Sequence, residues 1–292
     1  MTRFGYTLMT EQSGPKELVR YAISAEQAGF DFEVSSDHFS PWLVSQGHAP
    51  NAWTLLGAVA HATERVDLYT YVTCPTMRYH PAVVTQQAAT LQILADGRFT
   101  LGLGSGENLN EHVVGRGWPT VQRRHDMLRK AIVIIRQLLS GDLVDHKGDY
   151  FQVDSARIWD VPDDPVTIGV AVSGQRSLDA FATVSDHMIA VEPDAKLVDG
   201  WHGARQATGL PGRGRVIGQI PICWDSDRAG SPALPSSSAR RRSPTTSLAA
   251  RIWMRSSRRS VPTGKRVSPT SRWCRSAMTH RTSSCTRRPS CC

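Results

Sequence analysis

Residues 101–119 read LGLGSGENLNEHVVGRGWP. They begin inside a buried strand, Phe99–Leu103, and open into a glycine-rich loop carrying Glu107, Asn108 and Asn110. Gly102, Gly104 and Gly106 lack the Cβ that would hold another group away from the backbone. A carboxylate just past such a loop, at the C-terminal end of a strand, marks a site. Two nucleotide motifs are excluded. A dinucleotide fingerprint needs a third glycine where Glu107 stands, and a P-loop needs a Gly-Lys-Ser/Thr that is absent.

Outward from this stretch, strands and helices alternate. Phe4, Tyr6 and Leu8 alternate as a strand, and Leu18, Ala22, Ala25 and Ala28 recur at helical spacing up to Gly29. Strands follow at Phe30–Ser35, Val66–Val72, Phe99–Leu103, Val166–Val172, Met188–Val191 and Arg215–Cys223. Helices are expected at Trp53–Thr63, Pro81–Ala95, Met127–Leu139, Ser177–Val184 and Lys196–Thr208. A polar excursion with a short hairpin around Gly148 interrupts the series. Seven short apolar strands separated by helices imply a parallel sheet. Their number favours an α/β (β/α)8 TIM barrel, incomplete at its C-terminus, with the active site at the C-terminal strand ends. The residues just past those strands are Asp37 and His38, Thr73 and Cys74, Glu107 and Asn110, Ser173 and Gly174, Glu192 and Asp194. They are expected to converge on one face.

The net charge of +8 is unevenly distributed. Residues 231–292 hold thirteen Arg and one Lys with no Asp or Glu, and the other 20 Lys and Arg face 26 acids. Residues 1–230 therefore carry about −6 and form the barrel domain. The tail, 231–292, is rich in Ser, Arg, Pro and Thr, shows no periodicity and cannot bury a core. A GC-rich gene read in the wrong frame gives this mixture, so the tail reads as a frameshift that begins between residues 225 and 235 and as disordered. An Arg/Ser arm is also a nucleic-acid-binding composition, but the frameshift accounts for it without a nucleic-acid partner. No apolar run reaches the roughly 18–20 residues of a membrane span, and the first sixteen residues lack a signal-peptide core. A cytoplasmic protein with reduced thiols is expected.

Among the strand-end residues, His38 suits general-base work near neutral pH. As a lone loop histidine it would more often cap backbone, Trp42 would more often pack than form a catalytic wall, and Glu107 would start a helix. Asp37 reads equally as a turn residue and Cys74 as a small buried thiol. Ser173-Gly174 before a helix can present N–H groups to a phosphate. No metal-ligand spacing and no Gly-x-Ser-x-Gly elbow occur.

The segments SSDHFSPW, YVTCPTMRYHPAVVTQQAATL and GRFTLGLGSGENLNEH, followed by Trp-Pro and then Arg, resemble the luciferase-like deazaflavin-dependent oxidoreductases. The branch is that of the coenzyme F-420 glucose-6-phosphate dehydrogenases, and the likeness runs from about Phe4 to about Asp227. It implies the (β/α)8 barrel, with His38 as base toward a substrate hydroxyl, Trp42 stacked over the reacting centre and Glu107 protonating the deazaflavin. It also implies Asp37, Cys74, Asn110, Ser173 and Gly174 as cofactor contacts, and a non-prolyl cis peptide at Tyr71–Val72. Cys74 stands where the sugar-phosphate enzyme has threonine. Val191 and Asp194 stand where that enzyme clamps its phosphate with threonine and lysine, so glucose 6-phosphate is disfavoured. The resemblance implies a small-molecule substrate and a homodimer once the barrel is complete. The alternatives are an FMN-dependent luciferase-like monooxygenase and an inactive truncated barrel.

Overall fold

The computed structural model describes residues 2–192, 194–210, 214–222 and 250–252. Eleven strands and seven α-helices are present among them. In chain order the strands are β1 (Gly5–Leu8), β2 (Phe32–Ser35), β3 (Asp67–Thr70), β4 (Phe99–Leu103), β5 (Val144–Lys147) and β6 (Gln152–Ala156). They continue as β7 (Thr167–Ala171), β8 (His187–Ile189), β9 (Val216–Ile217), β10 (Ile220–Ile222) and β11 (Ala250–Ile252). The helices are α1 (Pro15–Gln27), α2 (Ala52–Ala62), α3 (Pro81–Leu94), α4 (Asn108–Glu111), α5 (Val121–Leu139), α6 (Gln175–Phe181) and α7 (Ala195–Ala207).

Seven strands run parallel in the order β1-β2-β3-β4-β7-β8-β9, each joined to the next by helical crossovers. This is the expected barrel wall. The expected seventh strand is broken in two at Gly218 and Gln219: β9 pairs with β8, whereas β10 pairs antiparallel with β11. β11 in turn pairs antiparallel with β1, and no eighth parallel strand occurs among the described residues. The frameshifted, disordered tail expected at 231–292 lies outside the described residues apart from β11.

Parallel strands covered on both faces are apolar throughout, and all five residues of β4 are buried. Their outward side chains, among them Leu8, Leu68, Leu101 and Ile168, pack on Leu18, Leu56, Val84 and Leu128 of the helices. The inward side chains fill the barrel as a packed core of Phe32, Val34, Tyr69, Tyr71, Ile189 and Ile217. Large residues lie beside glycines. A Cβ on Gly5 would enter the Phe32 ring, and one on Gly102 or Gly169 would come within 3.0 or 2.9 Å of Ile189 Cδ1. The hairpin β5–β6 falls in the expected excursion and packs through Val144, Phe151 and Val153 on Met127, Ala131 and Ile134 of α5.

Two helices differ from their expected bounds by more than one residue. α5 begins six residues before Met127, because Thr120 caps it by accepting a hydrogen bond from Arg123 N–H at 3.4 Å. α6 begins at Gln175 and stops at Phe181, short of the expected Val184.

Candidate functional site

The C-terminal strand ends enclose a cleft of about 670 Å³, within the range of cofactor sites. Its described lining runs from Thr7 to Gln219. Asp37, His38 and Trp42 come from the loop after β2, and Tyr71, Val72 and Cys74 from the end of β3. Glu107 and Asn110 follow β4, Ser173 follows β7, and Val191 follows β8. Four of the strand-end residues expected to converge there, Thr73, Gly174, Glu192 and Asp194, are absent from its walls. Asp194 instead caps α7, its Oδ1 accepting from Lys196 N–H at 2.9 Å and Leu197 N–H at 3.4 Å.

His38 is held by a partner the sequence did not reveal. Its Nδ1 lies 2.6 Å from Oε1 of Glu11, in the loop after β1. Burial pushes the Glu11 carboxyl up, but the hydrogen bond and charge of His38, with a backbone hydrogen bond, outweigh it and leave the group below its ordinary value. Glu11 is therefore an ionised acceptor that directs the Nδ1 proton of His38 toward itself. The Trp42 indole meets the His38 ring edge-on, with centroids 5.1 Å apart.

A buried ionic group ties the loops of the cleft together. Asp37 Oδ2 accepts from Thr73 Oγ1 at 2.8 Å, and its Oδ1 accepts from an Arg78 guanidinium nitrogen at 3.1 Å. The same nitrogen of Arg78 also donates to the Asp37 carbonyl at 2.6 Å. Arg78 N–H donates to Glu111 Oε2 at 3.0 Å, and its Nε lies 3.5 Å from Glu111 Oε1. Burial pushes the Glu111 carboxyl up despite these contacts. Arg78 and Glu111 escaped the sequence reading, although both lie inside the segments quoted for the resemblance or beside them.

Asn110 is buried beneath the loop that carries His38, and its Oδ1 accepts from Phe39 N–H at 2.9 Å and Ser40 N–H at 3.2 Å. The Tyr71–Val72 peptide is cis. Val72 packs so closely on Gly104 that a Cβ there would lie 2.5 Å from Val72 Cγ2. Burial pushes the Cys74 thiol up to about 12, so it stays protonated, 2.9 Å from Thr76 Oγ1. Glu107 is exposed at the start of α4 and makes no side-chain cap. The amides of Ser173 and Gly174, expected to be free for a phosphate, donate to Ser177 Oγ at 3.0 and 3.2 Å. Arg124 and His125 of α5 also line the cleft. Burial and the Arg124 charge push His125 below its ordinary value. Among the described residues no three His, Cys, Asp or Glu side chains are grouped to hold a metal ion, and no helix is long and apolar enough to cross a membrane.

The donor set fits a planar redox ring. His38, Trp42, Glu107, Tyr71 and Val72 line one cleft, which at about 670 Å³ is large enough for a tricyclic ring and its side chain.

Comparison with known proteins identifies the family of the chain. The sequence profile of the luciferase-like monooxygenase family matches residues 1–231. The F420-dependent glucose-6-phosphate dehydrogenase of Nakamurella multipartita is 39% identical over 233 residues, covering 77% of this chain and 69% of that protein. Its counterpart in Beutenbergia cavernae is 47% identical over 189 residues, covering 65% of this chain and 56% of the relative. Among solved structures, an F420-dependent secondary alcohol dehydrogenase in complex with an F420-acetone adduct superposes with a TM-score of 0.70 at 33% identity. That match covers 73% of this chain and 67% of the other. The chain spans little more than half the length of several curated relatives it matches.

Proposed function

The chain belongs to the luciferase-like monooxygenase family, and we propose that it is a deazaflavin-dependent oxidoreductase, moving hydride between coenzyme F-420 and a carbon of a small organic substrate. The observation that carries this reading is the shared cleft of His38, Trp42 and Glu107. The bound deazaflavin supplies the hydride acceptor or donor. With Nδ1 engaged by Glu11, His38 has Nε2 to take the proton of a substrate hydroxyl, and the Glu11 carboxylate stabilises the imidazolium that results. Glu107 offers a carboxyl as the second proton-transfer group, and Trp42 keeps water from the reacting carbon. Asp37, Cys74, Asn110 and Ser173 position the cofactor, Tyr71 and Val72 support its ring, and with the barrel complete the enzyme works as a homodimer.

Glucose 6-phosphate is not the substrate in this reading, although relatives are named for it. The carboxyls of Glu11, Asp37, Glu107 and Glu111 line the cleft, while Arg124 is the only Lys or Arg among its described lining residues. Val191 presents methyl groups, and Asp194 places a carboxylate nearby in sequence, where a phosphate dianion would need cations.

Titration of the full chain with oxidised coenzyme F-420 and, separately, with FMN tests the cofactor. Saturable binding of the deazaflavin alone supports the reading. Binding of FMN alone moves it to a flavin monooxygenase, and binding of neither removes it. Turnover of glucose 6-phosphate with the deazaflavin would overturn the substrate exclusion.

A further inference from the structure

We propose that the end of the sheet away from the cleft carries a docking surface for a protein segment that bears Lys or Arg beside a large apolar side chain. The surface is built where the loop after α5 meets the loop before β7: a Cβ on Gly141 would lie 2.8 Å from Val161 Cγ2. Along these two stretches, Val144 and Ile158 turn into the cluster beneath the hairpin. Their neighbours Leu143 and Trp159 are left outside, at 57% and 84% exposure, with Val161 at 42%. None of the three lines the cleft. A lone exposed apolar residue needs no explanation, but three on adjoining loops, one of them an indole, mark a contact surface.

The charge around it selects the occupant. Between Gly141 and Pro165 stand seven Asp against Lys147 and Arg157, a balance of −5, whereas all of residues 1–230 carry about −6. Nearly the whole negative excess of the body thus lies on the excursion that also carries the exposed indole. Asp142, Asp160 and Asp163, all exposed, sit within two residues of the three apolar side chains. The face of the indole already meets a cation: the Arg157 guanidinium lies 5.8 Å from its ring centroid, within the reach of a cation–π contact. Carboxylates around an apolar centre repel nucleic acid, anionic lipid and a second copy of the same patch. They attract a basic segment whose apolar side chain covers Trp159. β7 has both of its parallel neighbours, β4 and β8, so the surface is not a gap left in the barrel wall.

The test uses the full chain and a fluorescein-labelled peptide, Arg-Arg-Leu-Leu-Arg-Arg-Leu, followed by fluorescence anisotropy. Two control peptides carry Ser for each Leu or Glu for each Arg. Saturable binding of the basic apolar peptide is expected, weaker with either control and weaker as salt screens the carboxylates. Trp159→Ser and Asp160→Lys should each weaken it at least about tenfold, the scale of a central interface residue. Both positions are exposed, so thermal unfolding and deazaflavin titration of the variants should match wild type; should one variant unfold, the other decides. Failure to bind, wild-type affinity in the folded variants, or equal binding of the Ser-for-Leu peptide overturns the proposal. Sedimentation covers the remaining occupant: a dimer lost in Trp159→Ser assigns the surface to a second copy and overturns it. None of these outcomes bears on the oxidoreductase reading, which deazaflavin titration of the wild type tests alone.

Discussion

Glu11 Oε1 lies 2.6 Å from His38 Nδ1 across 27 residues of sequence, so the imidazole enters the cleft already oriented. An ionised acceptor at Nδ1 keeps that proton in place and leaves Nε2 as the acceptor. Glu11→Gln is expected to lower kcat by about a hundredfold, the scale of a positioned general base, while the deazaflavin Kd stays near wild type. Steady-state kinetics alongside cofactor titration would separate the two, and a loss confined to Kd would contradict the orienting role. Because the folded Glu11 carboxyl sits below its ordinary value, its stabilising contribution is complete above the unfolded value. It is lost as pH falls through the folded one. Acid unfolding of Glu11→Gln should lack that component.

Glu33 makes a different pH prediction. It is fully buried on β2 with no hydrogen-bond partner for either oxygen among the described residues. Burial, helped by the Glu26 charge and opposed by Arg98, pushes its carboxyl from 4.5 to about 8. The native state therefore keeps a proton that the unfolded state gives up. Stability should be greatest below the unfolded value and fall as pH rises toward about 8, by at most about 1.4 kcal/mol per unit. Urea denaturation from pH 5 to pH 9 measures the slope. Glu33→Gln should flatten it, and an unchanged slope in that variant would assign it to another group.

Asn110 accepts two backbone N–H groups from the loop that bears His38. Asn110→Ala strands both donors, at a cost of about 1–3 kcal/mol. Amide hydrogen exchange at Phe39 and Ser40 should accelerate before global unfolding does. Protection equal to wild type would mean that the loop is held by other contacts.

Gly106 has φ of +81°, and a Cβ there would lie 2.6 Å from Cys74 Sγ. Gly106→Ala therefore meets two obstacles, the left-handed backbone at roughly 1–2 kcal/mol and the thiol. Cys74→Ala removes only the second. A double-mutant cycle should show Gly106→Ala costing less in the Cys74→Ala background, by at least about 0.5 kcal/mol. Strict additivity would show that the sulfur yields without resistance.

The barrel wall was legible because its strands are short apolar runs between amphipathic helices, and Phe99–Leu103 and Val166–Val172 fall where expected within two residues. The split of β9 from β10 was not, since Gly218-Gln219 looks in sequence like the interior of one strand; only the sheet order reveals that they serve different neighbours. At the site, residues directly after strands could be found by position, which is how His38 and Asn110 entered. Glu11 could not, because its significance depends on an approach by His38 that no spacing encodes. Asp194 shows the opposite limit: a carboxylate read as part of the substrate pocket spends one of its oxygens capping α7.

Arg78 links the loop after β2, through Asp37, to α4 after β4, through Glu111, while itself following β3. Losing Arg78 leaves two buried carboxylates without their cation, at roughly 3–5 kcal/mol, whereas losing Asp37 or Glu111 leaves Arg78 paired with the other. Arg78 is therefore the member that no single step removes cheaply, and the three loops it joins, separate in sequence, are bound to drift as one inherited block. New substrates can then be reached cheaply only through lining residues outside that group, such as Val121 and Val191.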